Sequence, residues 1–181
     1  MSMDTKDENT PRVRSLVSAR DDHCSSHLTL NLDAPASRWL LSRETHPYLA
    51  REAWMRDTVA VLQAGLHFDA VLLPAHVVHR LTGTSEMAAV ERVFRVAGID
   101  GAVIVDRPNR GYTVLVPPGT STTWHVPGID CLGKDHPRGY VRVPAPHRAE
   151  PPGAYWLLTP PDDSAGLCDV DALRKLIGAE R

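Results

Sequence analysis

The residues with the clearest capacity for chemistry are cationic and aromatic. Arg107, Arg110, Lys134, Arg138 and Arg142 crowd into the second half of the chain, with Tyr112, Trp124 and Tyr140 interleaved among them. A guanidinium presents a planar fork of donors that matches two phosphate oxygens. An aromatic ring offers a face on which a base can stack. Together they suit the binding of a nucleotide or a single strand. The plainer reading is a solvated basic face beside core aromatics, and Asp106, Asp130 and Asp135 dilute the positive charge.

The acids invite a second chemistry. Asp69, Asp106 and Asp130 are candidate ligands for a divalent cation, yet each has a local explanation. Asp69 opens an apolar run, Asp106 stands where a hairpin turn begins, and Asp130 follows Pro127-Gly128 in a predicted loop, where an Asp commonly bonds to nearby backbone. His76 and His79 share a helix face at i and i+3 without a carboxylate or Cys at suitable spacing, so a solvated face is the expectation. Cys131, Lys134 and His136 are neighbours, but nothing completes a Cys/His/Asp constellation. His23, Cys24 and His27 form a cluster of the kind that binds metal adventitiously in a tail. Neither a Walker A nor a GxGxxG pattern occurs.

Composition narrows the classes. With 181 residues, 43% of them apolar, the chain can bury one sizeable core. Its three cysteines, with no CxxC pair, argue against a disulfide framework or a thiolate zinc site. A net charge of −2 is unlike the markedly basic balance of a domain gripping nucleic acid by phosphate neutralisation alone. No run approaches the roughly 18 apolar residues of a membrane span, and the charged N-terminus lacks the apolar stretch of a secretory signal. The expectation is a cytoplasmic protein without a membrane partner.

The elements that would position these residues follow from periodicity. Residues 1–32 are mostly polar and read as a mobile tail, with Leu28, Leu30 and Leu32 offering an edge strand as the alternative. Residues 33–181 form the domain. Asp33 or Ser37 is expected to cap a short helix carrying Trp39 to Leu41. Pro47 suits the first turn of a helix running through Leu62 to a stop at Gly65. Phe68 to Leu73 reads as a strand, Ala75 to Leu81 as a short helix, and Thr84 as the cap of a helix that stops at Gly98. Ala102 to Val105 and Tyr112 to Val116 read as a hairpin, 139–143 and 154–158 as another strand pair, and Asp169 or Asp171 caps a final helix. Helices followed by hairpins predict an α+β single domain, a mostly antiparallel sheet with flanking helices.

Three ordered segments carry a resemblance. GLHFDAVLLP (65–74), GAVIVDRPNRGYTVLVPPG (101–119) and PGIDCLGKDHPRGYVRVPAP followed by GAYWLL resemble, in turn, a strand ending in an Asp-x-Asp metal motif, a hairpin closing on Pro-Pro-Gly, and a stretch with a third acid and a Gly-Tyr strand. The chain is similar, over about 39–177, to the prim-pol domains of bifunctional DNA primase/polymerases, in particular to short stand-alone actinomycete proteins carrying that label. The resemblance implies a prim-pol-like fold and two-metal phosphoryl transfer, with Mg²⁺ or Mn²⁺ clamped by clustered carboxylates.

This sequence departs from that pattern. Asp69 matches the first acid of the motif, but Val71 stands at the second and cannot bind Mg²⁺; Tyr112 or Thr113 replaces the phosphate-contacting histidine; Asp130 matches the third acid. The resemblance also puts Arg107, Arg110, Lys134, Arg138 and Arg142 on the side that binds nucleotide phosphate. The expectation is therefore a degenerate, non-catalytic domain that binds nucleotide or single-stranded nucleic acid. The alternatives are a protein-interaction module on the same fold, and an active primase/polymerase using Asp69, Asp106 and Asp130.

Overall fold

The computed structural model describes residues 31–42, 44–107 and 111–178. Nearly all of the expected tail, including His23, Cys24 and His27, lies outside them. Helix α1 (Pro35–Leu41) and helix α2 (Pro47–Met55) each begin at a proline, whose missing N–H costs nothing in a first helical turn. The expected cap on α1 is not made. Ala34 stands at the N-cap position, and the buried Ser37 hydroxyl donates to the Asn31 carbonyl at 3.0 Å.

Helix α2 does not reach Leu62. The Arg56 N–H folds back onto the Glu52 and Ala53 carbonyls, and Asp57 takes a φ of +56°, a left-handed conformation that no helix continues through. Ala60–Gln63 becomes strand β1 instead. Gly65, at φ +91°, then turns the chain into β2 (Asp69–Pro74), its N–H donating to the Phe68 carbonyl. Helix α3 (Ala75–Thr82) stops at Gly83. Thr84 does not cap α4 (Met87–Val96) as expected: Glu86 stands at the N-cap without a side-chain capping bond, and the Thr84 hydroxyl is taken up in the preceding turn, where it accepts from the Glu86 N–H at 3.0 Å.

Strands β3 (Val103–Arg107) and β4 (Gly111–Val116) make the expected hairpin. Asp130 is not in a loop but opens β5 (Asp130–Leu132), a strand too short to signal itself by alternation. Strands β6 (Tyr140–Val143) and β7 (Tyr155–Trp156) do not pair with each other as expected. In β6 only Val141 and Val143 are buried, so it matches the one-sided burial of β1; Tyr155 and Trp156 are both buried and fit a strand of the larger sheet. The result is an antiparallel five-stranded sheet in the order β5-β2-β4-β3-β7 and a two-stranded ribbon of β1 and β6. Helix α5 (Val170–Gly178) closes the domain, with the Asp169 carboxylate accepting from the Ala172 N–H at 2.8 Å.

The large sheet is covered on both faces. Val71, Leu73, Val105 and Val114 pack with Val78 of α3, Phe94 of α4 and Leu173 of α5. On the other face Ala70, Ile104, Leu115 and Leu132 pack with Leu40 of α1, Trp54 of α2 and the ribbon residues Leu62 and Val141. Two indole N–H groups fasten this second layer: Trp54 donates to the Val143 carbonyl at 3.0 Å and Trp156 to the Pro144 carbonyl at 3.3 Å. The chain is an α+β single domain, and its sheet is antiparallel throughout the named strands.

Candidate functional site

An open cleft of about 270 Å³ remains on the large sheet, and its walls include Leu72, Asp106, Thr113 and Asp130. Strand register builds it. Leu72 stands opposite Asp130 on one side and Thr113 on the other, and Thr113 stands opposite Ile104, so these four side chains share a face. Asp106 follows at an irregularity in the β3–β4 pairing between Val105 and Arg107, the kind of kink that re-aims a side chain.

Two arginines reach the acids. Arg142 Nη1 is 3.9 Å from Asp106 Oδ1, and Arg138 Nη2 is 3.6 Å from Asp130 Oδ2. The Arg138 contact is long and solvent-facing, with Arg138 77% exposed, and such a pair is worth at most about 1 kcal/mol, so a phosphate can displace Asp130 at little cost. The Arg142 contact is longer still and half-exposed, and it ends on Asp106 Oδ1, a buried oxygen with no hydrogen-bond partner. Lys134 is exposed in the turn after β5, Arg107 ends β3 opposite Gly111, and Arg110 lies outside the described residues.

Asp69 does not join Asp106 and Asp130. Alternation along β2 turns it to the opposite face from Leu72, where it is fully buried. Its Oδ2 accepts from the Ser121 N–H at 2.7 Å, tying down the single helical turn at Thr120–Thr122, while Oδ1 has no partner. The β2 residues that line the cleft are Leu72, Leu73 and Pro74, none of them an acid. Among the described residues no three His, Cys, Asp or Glu side chains converge to hold a metal ion. The donors present do not fit a pair of Mg²⁺ or Mn²⁺ ions, which need clustered carboxylates.

The aromatic candidates separate. The Tyr112 ring belongs to the helix-side core, and its hydroxyl meets His79 Nε2 at 3.1 Å and Met87 Sδ at 3.8 Å. Burial, helped by the nearby Tyr155, pushes that phenol up to about 12. The Tyr112–His79 contact also parts His79 from His76, which is exposed. Trp124 is buried, donates to the Ile129 carbonyl at 2.9 Å and is covered by the Arg174 guanidinium. Only Tyr140 of the three is open to solvent, on the outer face of the ribbon together with Arg142.

Nucleophile chemistry finds no footing among the described residues. Burial and the Asp69 charge push the Cys131 thiol up to about 12, with Arg174 opposing them. His136 Nδ1 accepts from the Arg138 N–H at 3.1 Å and does not activate a thiol. Sequence reasoning missed one pair, Ser42 and His67, whose Oγ and Nε2 lie 2.8 Å apart. Nothing in residues 25 positions apart signals such a contact. The Ser42 hydroxyl donates to the Trp39 carbonyl at 2.9 Å, so toward the imidazole it accepts, the reverse of what a general base requires.

No protein-family model matches the chain, no curated protein matches it, and no solved structure matches it.

Proposed function

We propose that this domain binds phosphate-bearing ligands, a nucleotide or single-stranded nucleic acid, at the sheet-face cleft without transferring phosphoryl groups. The resemblance of the sequence to prim-pol domains, with most of their catalytic ligands missing, supports this reading. The observation that carries this reading is Leu72, an apolar side chain set between Asp130 and Thr113 where a two-metal site needs another oxygen donor. Arg138 and Arg142, which face the cleft's acids Asp130 and Asp106 across long contacts, supply the phosphate forks, and the exposed Tyr140 supplies a stacking face.

Fluorescence anisotropy with a labelled single-stranded oligonucleotide tests it. Binding should weaken steeply with salt, and Arg138→Ala with Arg142→Ala should reduce affinity by about tenfold and flatten the salt slope. Mn²⁺-dependent primer extension that disappears in Asp130→Ala would overturn the non-catalytic reading.

A protein-interaction role is favoured by one separate observation. Tyr48 and Met55, one heptad apart on α2, are 62% and 63% exposed, and Leu49 beside them is 52% exposed. Capture of a partner that is lost in Tyr48→Glu, together with no oligonucleotide binding, would make that the function.

A further inference from the structure

A second cavity lies on the helix-covered side of the large sheet, between α3, the 125–129 segment and α5. At about 600 Å³ it is larger than the sheet-face cleft and falls within the range of pockets that hold small ligands. Its polar lining is imidazole and guanidinium, all of it able to donate hydrogen bonds to an anion: His76 from α3, His125 from the loop and Arg174 from α5, with Arg80, which has a partner of its own, beside them. No Asp or Glu among the described residues lines it. The nearest counter-charge on its own element, Asp171, stands 3.7 Å from Arg174 and is 80% exposed, so solvent screens it. Ile129 and Ile177 add an apolar floor.

Arg174 is held in place by its own neighbours. Its Nη2 donates to the Thr123 carbonyl at 2.9 Å, and the guanidinium lies over the Trp124 ring at 5.6 Å. A stacked, tethered guanidinium loses little freedom on meeting an anion, unlike a solvated arginine. Gly128 lines both this groove and the sheet-face cleft, so the two open on either side of one turn.

We propose that this groove is a second phosphate-binding site, which takes the phosphates of a nucleotide or of a single strand passing over Gly128. It stands on its own residues and does not require the sheet-face cleft to bind anything. The probes are fluorescent ATP and a labelled twelve-residue oligodeoxythymidylate, measured against the wild type, a His76→Glu/His125→Glu chain and an Arg138→Ala/Arg142→Ala chain. Both histidines are exposed, so putting carboxylates in their place leaves the core intact, and unchanged thermal melting verifies it.

Wild-type binding of ATP, weakened about tenfold or more by the histidine substitutions and unchanged by the arginine pair, identifies a mononucleotide site. Oligonucleotide binding weakened by both variant pairs identifies a strand that spans cleft and groove. The proposal fails if neither probe binds, or if the histidine substitutions leave binding of both unchanged. It fails equally if an oligoglutamate peptide, and neither phosphate probe, binds in a manner that those substitutions abolish.

Discussion

Asp69 shows how far a side chain's type falls short of its role. Its place at the head of an apolar strand is legible in the sequence, and so is its likeness to a metal-binding acid. Which face it occupies depends on where β2 begins, and a one-residue shift exchanges the faces. The structure gives its carboxylate to the Ser121 N–H. Asp69→Ala is expected to destabilise the fold by about 1–3 kcal/mol, because it strands that buried donor. Asp69→Asn keeps an acceptor and should cost less, with denaturant melts separating the two; equal losses would contradict the capping role. Cys131 gives a second check. With their thiols raised to about 12 by burial first, Cys131 and Cys168 carry almost no thiolate at neutral pH. In a Cys24→Ser chain, iodoacetamide labelling at pH 8 should run at least about a hundredfold slower than for a free thiol.

Elements were legible where periodicity was long and its stop was local. The helices α3 and α4, the β3–β4 hairpin and the Asp169 cap lie where spacing puts them, although α4 starts three residues after Thr84, its expected cap. Failures cluster where tertiary partners decide. Val59 to Leu62 continues the apolar spacing of α2, but only pairing with β6 makes it a strand. The three-residue β5 and two-residue β7 have no periodicity to read and exist because a neighbour's ladder accepts them. The turn between β1 and β2 offers a test. Gly65 has φ +91°, and a Cβ there would strike the Lys134 backbone. Gly65→Ala therefore faces both backbone strain and a collision that no rotamer change relieves. A loss of about 2 kcal/mol or more in denaturant unfolding is expected, well above the cost of an ordinary surface substitution.

At the scale of the whole molecule, the site divides by how its parts are specified. The cationic residues that face the cleft's acids were legible as a cluster, because Arg138 and Arg142 are close in sequence to each other and to Asp130. The groove was not, because His76, His125 and Arg174 meet only through the packing of three separate segments. Long-range ties also set the response to acid. Arg148 pairs with Asp57, joining the end of α2 to the segment after β6, and its hydrogen bond holds the Asp57 carboxyl below the usual carboxylate range. The folded pKa lies below the unfolded one, so this stabilisation is complete above the ordinary carboxylate pKa and is lost as pH falls through the depressed value. Asp57 is 64% exposed, so the contribution is at most about 1 kcal/mol and shrinks with salt. Melting curves from pH 7 to pH 2 should show the deficit of Arg148→Ala relative to wild type shrinking at the acid end to the part owed to its lost hydrogen bond with the Pro152 carbonyl.

The long strands β2 and β4, six residues each, sit inside the five-stranded sheet, while its margins are β5 and β7, of three and two residues. A foreign chain seeking to extend that sheet finds rungs for barely one turn of the ladder, and the apolar interior strands offer it no free hydrogen-bonding side. Short borders of this kind guard against uncontrolled strand addition. The larger sheet thus presents its longest strands only in its interior, where both sides of the ladder are already taken.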